Sequence, residues 1–215
     1  MQSRSIFYAA GYPIPEIVNI LKERQIFNFS NILIKKQGLF AMKGFQGIYQ
    51  EYLPKNTFED INIPLFVAAT DILKGEIVHF STGNLSQALK ASACTPLVFQ
   101  PIDFNNALYL DGGVINNFPT EPLINKCEII IGSYINSIKK EVDEVHMNNI
   151  LDRCFHLAMK NSVQNKIESC TLYIEPPNMS QFSLFNLKKS DEIYDYGYKY
   201  ALFLEKELKE LINSS

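Results

Sequence analysis

Runs of apolar residues divide the chain into predicted strands and helices. Residues 63–69 and 127–131 are almost continuously apolar, which is typical of strands that helices cover on both faces. Residues 77–81 alternate between apolar and polar side chains, as a strand with one buried face does. Apolar positions three or four residues apart predict helices over residues 16–25 and 191–212.

Signals for helix ends add two more helices. A helix over residues 3–10 is expected to stop at Gly11, because glycine is favoured directly after the last helical turn. A second helix over residues 85–94 stops before Pro96. In the charged helix at 191–212, the predicted apolar stripe includes Phe203.

The remaining pattern sets the fold class. Residues 142–165 carry a long helical pattern, and short strands are predicted at 107–110 and 170–174. Strands that alternate with helices predict an α/β fold. We expect three layers, with a mainly parallel central sheet flanked by helices and a C-terminal helical extension.

Composition narrows the class of protein. The 215 residues carry 20 Lys and Arg against 23 Asp and Glu, and 47% are hydrophobic. This excludes intrinsic disorder, collagen-like repeats and a disulfide-dense miniprotein, and it gives no electrostatic reason to expect a nucleic-acid partner. No apolar run approaches the roughly 18 residues of a membrane span, and the start lacks a secretory signal. The sequence therefore predicts a cytoplasmic protein, with a peripheral membrane contact left open.

Metal and cofactor chemistry is not indicated. The three histidines do not fall at a metal-ligand spacing and are expected to be structural or surface residues: His79, His146 and His156. The four cysteines form no CxxC pair and are expected to be reduced: Cys94, Cys127, Cys154 and Cys170. Two of these, Cys127 and Cys170, adjoin apolar runs, where cysteine behaves as a small hydrophobe. We therefore expect no metal and no organic cofactor.

The Asp111-Gly112-Gly113 segment allows two interpretations. Asp-Gly and Gly-Gly are common turn dipeptides, so a plain turn is one of them. In the other, a strand delivers a carboxylate to the carboxyl edge of a parallel sheet, where active sites of open α/β sheets form. Two glycines would let the backbone turn sharply there and let another element approach closely.

Several segments together match one known family. Residues 111–119 read Asp-Gly-Gly-Val-x-Asn-Asn-x-Pro, residues 91–96 form a small-residue helix end closed by proline, and residues 99–101 read aromatic-x-Pro. The Ala-Ala-Thr-Asp of residues 68–71 and the Tyr-Ala-Ala-Gly-Tyr of residues 8–12 add to the match. Over about residues 4 to 135, the chain resembles the patatin-like phospholipase family.

The resemblance implies a lipid acyl hydrolase, a phospholipase or esterase, that uses a Ser–Asp dyad. Asp111 would be the catalytic base, and its partner would be a serine at a Gly-x-Ser-x-Gly elbow beside a glycine-rich oxyanion loop. The resemblance also implies positions that shape and order the motif: Gly112, Gly113, Asn116, Asn117 and Pro119.

The serine nucleophile is the missing part. The family's spacing would put it before Met1, and Ser3 and Ser5 lack the flanking glycines of an elbow, so both are expected to be ordinary helix residues. The sequence thus predicts an N-terminally truncated chain that is inactive alone. Residues 1–135 would be the C-terminal part of the hydrolase domain. Residues 136–215 would be a helical extension with one further strand, packed on the same domain.

Three functions stay open at this stage. The first is a serine lipid acyl hydrolase whose base is Asp111, acting on a lipid or acyl ester. The second is a non-catalytic pseudoenzyme or lipid-surface binding module with a patatin-like fold. The third is an unrelated α/β binding domain in which Asp-Gly-Gly is only a turn. The sequence does not specify which lipid is bound or the oligomeric state.

Overall fold

The computed structural model describes residues 2–23, 43–96, 99–135, 157, 163–182 and 189–214. It divides into two compact units, Met1–Asn117 and Phe118–Ser215, each described here by itself. The predicted helix at 142–165 lies outside the described residues except for a few positions at 157 and from 163 onward. Helices and sheets are both present, as the α/β class requires.

The first unit combines helices with one four-stranded sheet. Its helices are α1 Gln2–Ala9, α2 Ile14–Glu23, α3 Lys43–Tyr52 and α4 Leu85–Ser92. Its strands are β1 Val67–Asp71, β2 Glu76–Phe80, β3 Ile102–Phe104 and β4 Ala107–Asp111, in the sheet order β2-β1-β4-β3. The strands predicted at 77–81 and 107–110 are therefore present, whereas the one predicted at 63–69 begins only at Val67.

The strands of this sheet run antiparallel, which differs from the expected mainly parallel arrangement. The connections explain the difference. Residues 72–75 join β1 to β2, and Asn105 and Asn106 alone join β3 to β4, whereas a parallel connection needs a crossover of a dozen or more residues. Both asparagines have positive φ, 54° and 58°, as the tight turn of a two-residue hairpin requires.

Strand β1 lies in the middle of the unit's packing. All five of its residues are buried, which agrees with the almost continuous apolar sequence that leads into it. Its Val67 belongs to the main core, with side chains from three helices and from the segment that follows α4: Ile6, Phe7, Ile48, Leu85, Leu89 and Phe99. The core therefore fixes the position of β1 from the helical side.

Helix α1 ends as predicted. Gly11 has φ +96°, and the amides of Gly11 and Tyr12 donate to the carbonyls of Tyr8 and Phe7, both at 2.9 Å. This left-handed glycine closes the helix and turns the chain towards α2.

The second unit contains a parallel pair of short strands, β5 Ile131–Ser133 and β6 Leu172–Ile174. The strand predicted at 170–174 is confirmed in its last three residues. The strand predicted at 127–131 begins only at Ile131, because residues 121–126 form turns and the amide of Cys127 continues them by donating to the Leu123 carbonyl at 3.1 Å. Cys127 is exposed, so it is not a buried small hydrophobe.

The C-terminal segment forms two helices, α5 Ser190–Phe203 and α6 Glu205–Asn213, where one was predicted. The break falls at Leu204, whose ψ of 3° leaves the helical region. Phe203 was expected on the buried stripe, but it is 79% exposed beside this break. Among the described residues, no helix is long and apolar enough to cross a membrane.

We expect alanine to cost more at Gly11 than at Gly75. Both have positive φ, +96° and +71°, where alanine carries a penalty of about 1–2 kcal/mol. Only at Gly11 would the added Cβ lie 2.5 Å from Nδ2 of Asn62, which donates to the Ala10 carbonyl at 3.3 Å. In urea denaturation, Gly11→Ala should lower the free energy of unfolding by about 1 kcal/mol more than Gly75→Ala does, because the added Cβ breaks the hydrogen bond from Asn62 to Ala10. Equal losses would contradict this account.

Candidate active site

The end of β4 holds Asp111 by its backbone. Asp111 faces Ala69 of β1 in the sheet register. Its amide donates to the carbonyl of Cys94 at 2.9 Å, and its carbonyl accepts from Oγ1 of Thr70 at 3.0 Å. Two different elements, β1 and the residues after α4, therefore fix the position of this residue.

The turn after Asp111 depends on a close backbone contact. Residues Gly112–Val114 form one 3₁₀ turn, and a Cβ on Gly112 would lie 2.7 Å from the carbonyl oxygen of Ala68. Real Cβ atoms essentially never come that close, so a glycine is required here. The same turn is closed by the amide of Asn116, which donates to the Gly112 carbonyl at 2.8 Å.

The Asp111 carboxylate caps its own turn. Its Oδ1 accepts from the amide of Gly113 at 2.8 Å. Burial raises the pKa of Asp111 above its ordinary range, while the hydrogen bond from the Gly113 amide opposes the shift. Since burial is the largest cause, the carboxyl takes a proton more readily than an exposed aspartate does.

Cys94 lies beside this carboxylate as a buried thiol. Its Sγ donates to the carbonyl of Gln100 at 3.0 Å. Burial first, and then the charge of Asp111, raise the pKa of Cys94 to about 12. A thiol with this pKa is protonated at neutral pH, so Cys94 is a structural residue and not a nucleophile.

The structure brings together only part of the predicted motif. Asp111, Gly112, Gly113 and Asn116 share one hydrogen-bonded turn, in which both glycines and Asn116 are buried.

Asn117 is the last residue of the first unit and is partly buried. Pro119 follows Phe118 in the second unit, where the Phe118 ring packs edge-on against Tyr134 and Tyr173. The sequence motif thus runs across the division between the two units.

Sequence reasoning missed Thr70 and the Cys94 carbonyl, which hold Asp111 in position. The signal for Thr70 was its place in the Ala-Ala-Thr-Asp segment, where a hydroxyl stands in an otherwise apolar strand. Within the same segment, Asp71 is 2% exposed, and its Oδ1 accepts from the amides of Leu73 and Lys74 in the β1–β2 turn. The Asp71 carboxylate therefore stabilises the turn between β1 and β2.

The other residues considered from sequence lie elsewhere. Ser3 and Ser5 both belong to α1, and Ser5 is exposed. His79 lies on β2, opposite Ala68 of β1, whereas His146 and His156 lie outside the described residues. No group of three or more His, Cys, Asp or Glu residues suited to a metal ion occurs in the part of the chain that the structure describes.

Comparison of the sequence with known proteins identifies the family of this chain. A sequence model described as patatin-like phospholipase matches residues 5–124, more than half of the chain. The chain belongs to the patatin-like phospholipase family. This agrees with the predicted resemblance and with the α/β class, and it brings the Asp111 turn inside the patatin-like region.

Similar proteins span several lineages. A lysophospholipase NTE1 of Meyerozyma guilliermondii is 24% identical over 170 residues, which cover 66% of this chain and 12% of that protein. A probable lipid hydrolase of invertebrate iridescent virus 6 is 40% identical over 72 residues, 31% of this chain and 25% of that protein. An uncharacterized NTE family protein of Mycobacterium bovis is 28% identical over 103 residues, 48% of this chain and 29% of that protein. The patatin-like chain thus spans less than a third of each of these relatives.

The Gly112 contact predicts a specific loss of stability. Gly112→Ala should lower the free energy of unfolding by about 1–3 kcal/mol, because neither backbone can move without disrupting the sheet. Gly47→Ala is the control, since an added Cβ there meets nothing within 4 Å and alanine favours helix α3 by about 0.5–1 kcal/mol. Urea denaturation of both variants measures the difference. An unchanged free energy of unfolding in Gly112→Ala would show that the turn does not need the close approach to Ala68.

The raised pKa of Asp111 predicts a pH-dependent stability. Folding is favoured while Asp111 is neutral. This stabilisation is complete below the pKa of an aspartate in the unfolded chain, about 3.9, and it is lost as the pH rises through the pKa of Asp111 in the folded protein. Asp111→Asn is neutral at every pH, so the variant should gain stability relative to the unmodified protein as the pH rises above about 4. Urea denaturation across this range measures the gain, with Asp103→Asn, an exposed carboxyl on β3, as the control. A gain that does not change with pH would contradict the shift.

Proposed function

We propose that this chain carries the general base of a lipid acyl hydrolase that works with a Ser–Asp dyad, and that Asp111 is this base. The observation that carries the proposal is the turn at Asp111. The Cys94 carbonyl and the Thr70 hydroxyl each form a hydrogen bond with the backbone of Asp111, and burial raises the pKa of its carboxyl. Membership of the patatin-like phospholipase family supports the assignment.

The raised pKa suits the role. A general base works best when its pKa lies near the working pH, because it must accept a proton in one step and return it in the next. An exposed aspartate, with a pKa of about 3.9, holds a proton too weakly for this at neutral pH. Burial of Asp111 raises the pKa of its carboxyl, which is the direction that a general base requires.

The two carboxylate oxygens would take different parts. Oδ1 accepts a hydrogen bond from the amide of Gly113, and this bond orients the carboxylate. Oδ2 would take the proton of a serine hydroxyl while the serine Oγ forms a bond to the ester carbonyl carbon. The proton would pass to the leaving alcohol as the ester C–O bond breaks, and water would then cleave the acyl-serine by the same route. No cofactor is needed for these steps.

The serine of the proposed dyad stands at a Gly-x-Ser-x-Gly elbow, a motif that the 215 residues do not contain. We do not assign the role to Ser3 or Ser5, since both lie within α1 and neither has a flanking glycine. Gly112 and Gly113 would keep the turn close to β1, and Asn116 would close it. Asn117 and Pro119 are proposed to order the rest of the motif.

The proposed substrate is a lipid or another acyl ester. Two similar proteins bear the names lysophospholipase NTE1 and probable lipid hydrolase, which support this class of substrate. The proposal includes a cytoplasmic location with contact at a lipid surface. A second candidate is a non-catalytic lipid-binding module with a patatin-like fold.

The test uses the 215-residue chain and the same chain extended by its upstream coding sequence. A fluorophosphonate probe should label a serine only in the extended chain, and Asp111→Asn there should lower ester hydrolysis by about 10²–10⁴-fold. Asp103→Asn is the matched control and should leave the rate unchanged.

Two results would overturn the proposal. Labelling of Ser3 or Ser5 in the 215-residue chain would place the nucleophile in α1. Full activity in a folded Asp111→Asn variant would reject Asp111 as the base. Lipid binding without hydrolysis by the extended chain would favour the second candidate.

A further inference from the structure

A second concave site lies in the first unit, away from the Asp111 turn. It is a cavity of about 470 Å³ at the point where α1 and α3 end, and none of its lining residues belongs to the motif at 111–119. Its volume falls within the range of about 300–1,000 Å³ that is typical of small-molecule sites. Its floor is apolar and includes Leu53, Ile61 and the fully buried Leu85.

Two tyrosine rings form one wall of the cavity. Tyr12 and Tyr52 meet edge to face, with their ring centroids 6.1 Å apart, and the hydroxyl of Tyr12 donates to the Tyr52 carbonyl at 2.8 Å. Behind them, the buried ring of Phe7 packs edge-on against both, at 5.9 and 6.0 Å. This packing holds the two tyrosines in place, so the aromatic wall is fixed by contacts within the protein.

Three charged side chains line the cavity, and two of them neutralise each other. Nζ of Lys55 lies 2.9 Å from Oδ1 of Asp60, and Oγ1 of Thr57 donates to the other oxygen of Asp60 at 2.6 Å. The third charge is Glu16, and its carboxylate leaves the lining with one negative charge. Burial raises the pKa of Tyr12, and the charge of Glu16 is the next largest cause.

We propose that this cavity binds a small organic ammonium ion, with its positive charge held between the Tyr12 and Tyr52 rings and the Glu16 carboxylate. A cation over an aromatic face is stabilised by the ring quadrupole, and a nearby carboxylate adds a direct charge interaction. The apolar floor suits the methyl or methylene groups that such an ion carries. This site does not depend on the catalytic role proposed for Asp111.

The first experiment compares a cation with its neutral analogue of the same shape. Choline and 3,3-dimethylbutan-1-ol differ in a quaternary nitrogen against a quaternary carbon. Each is titrated into the 215-residue chain and followed by amide chemical shifts. We expect choline to shift the amides of the non-proline residues within 10–16 and 52–57 and to bind at least about fivefold more tightly than the alcohol. Equal binding of the two would show an apolar cavity only and would overturn the proposal, as would shifts confined to other residues.

Variants then separate the carboxylate from the rings. Glu16→Gln removes an exposed carboxylate and should weaken choline binding by about twofold to fivefold, with binding of the alcohol unchanged. Glu76→Gln, which removes an exposed carboxylate of β2 outside the cavity, is the control for general charge effects. Tyr52→Leu should also weaken choline binding. If that variant does not fold, Glu16→Gln and the neutral alcohol decide the question, and unchanged choline affinity in Glu16→Gln overturns the proposal.

Discussion

The close approach of two backbones, at Gly112 and Ala68, is the contact on which the candidate active site depends. A side chain at residue 112 would lie 2.7 Å from the Ala68 carbonyl oxygen, so the turn can lie against β1 only with glycine there. Because all five residues of β1 are buried, the main core fixes this strand independently of the site. The turn takes its position from β1, and Asp111 takes its position from the turn and from the Thr70 hydroxyl.

The same packing determines the electrostatics of the site. Burial raises the pKa of Asp111 and also raises that of Cys94, whose carbonyl accepts the Asp111 amide. Each ionised group would make ionisation of the other less favourable, and the aspartate, with its much lower intrinsic pKa, ionises first. The thiol therefore stays protonated while the carboxyl titrates. A protonated thiol beside Asp111 is compatible with the proposed role of this carboxyl, because it neither takes up the proton nor neutralises the carboxylate.

The sequence could predict the features that local chemistry decides. Gly11 ends α1, the residues of β1 are buried, and Asp-Gly-Gly forms a turn, each for a reason visible within a few residues. Strand direction was not predictable in this way, because apolar patterns report burial and not the pairing partner. The exposed Cys127 was missed because it closes a turn before the strand begins, and the bond from Thr70 to Asp111 was missed because it joins positions 41 residues apart.

The cavity and the candidate active site share one core, and this bears on whether they can communicate. Phe7 packs against both tyrosines of the cavity and belongs to the same cluster as Val67 of β1. A shared core transmits a displacement only if some element in it has two stable arrangements that the two ligands favour differently. The tyrosine wall is held in a single packed arrangement by Phe7 and by the bond from Tyr12 to the Tyr52 carbonyl. Binding of a cation to the tyrosine wall would therefore stabilise the packing of the first unit, whose core also supports β1 next to the candidate active site.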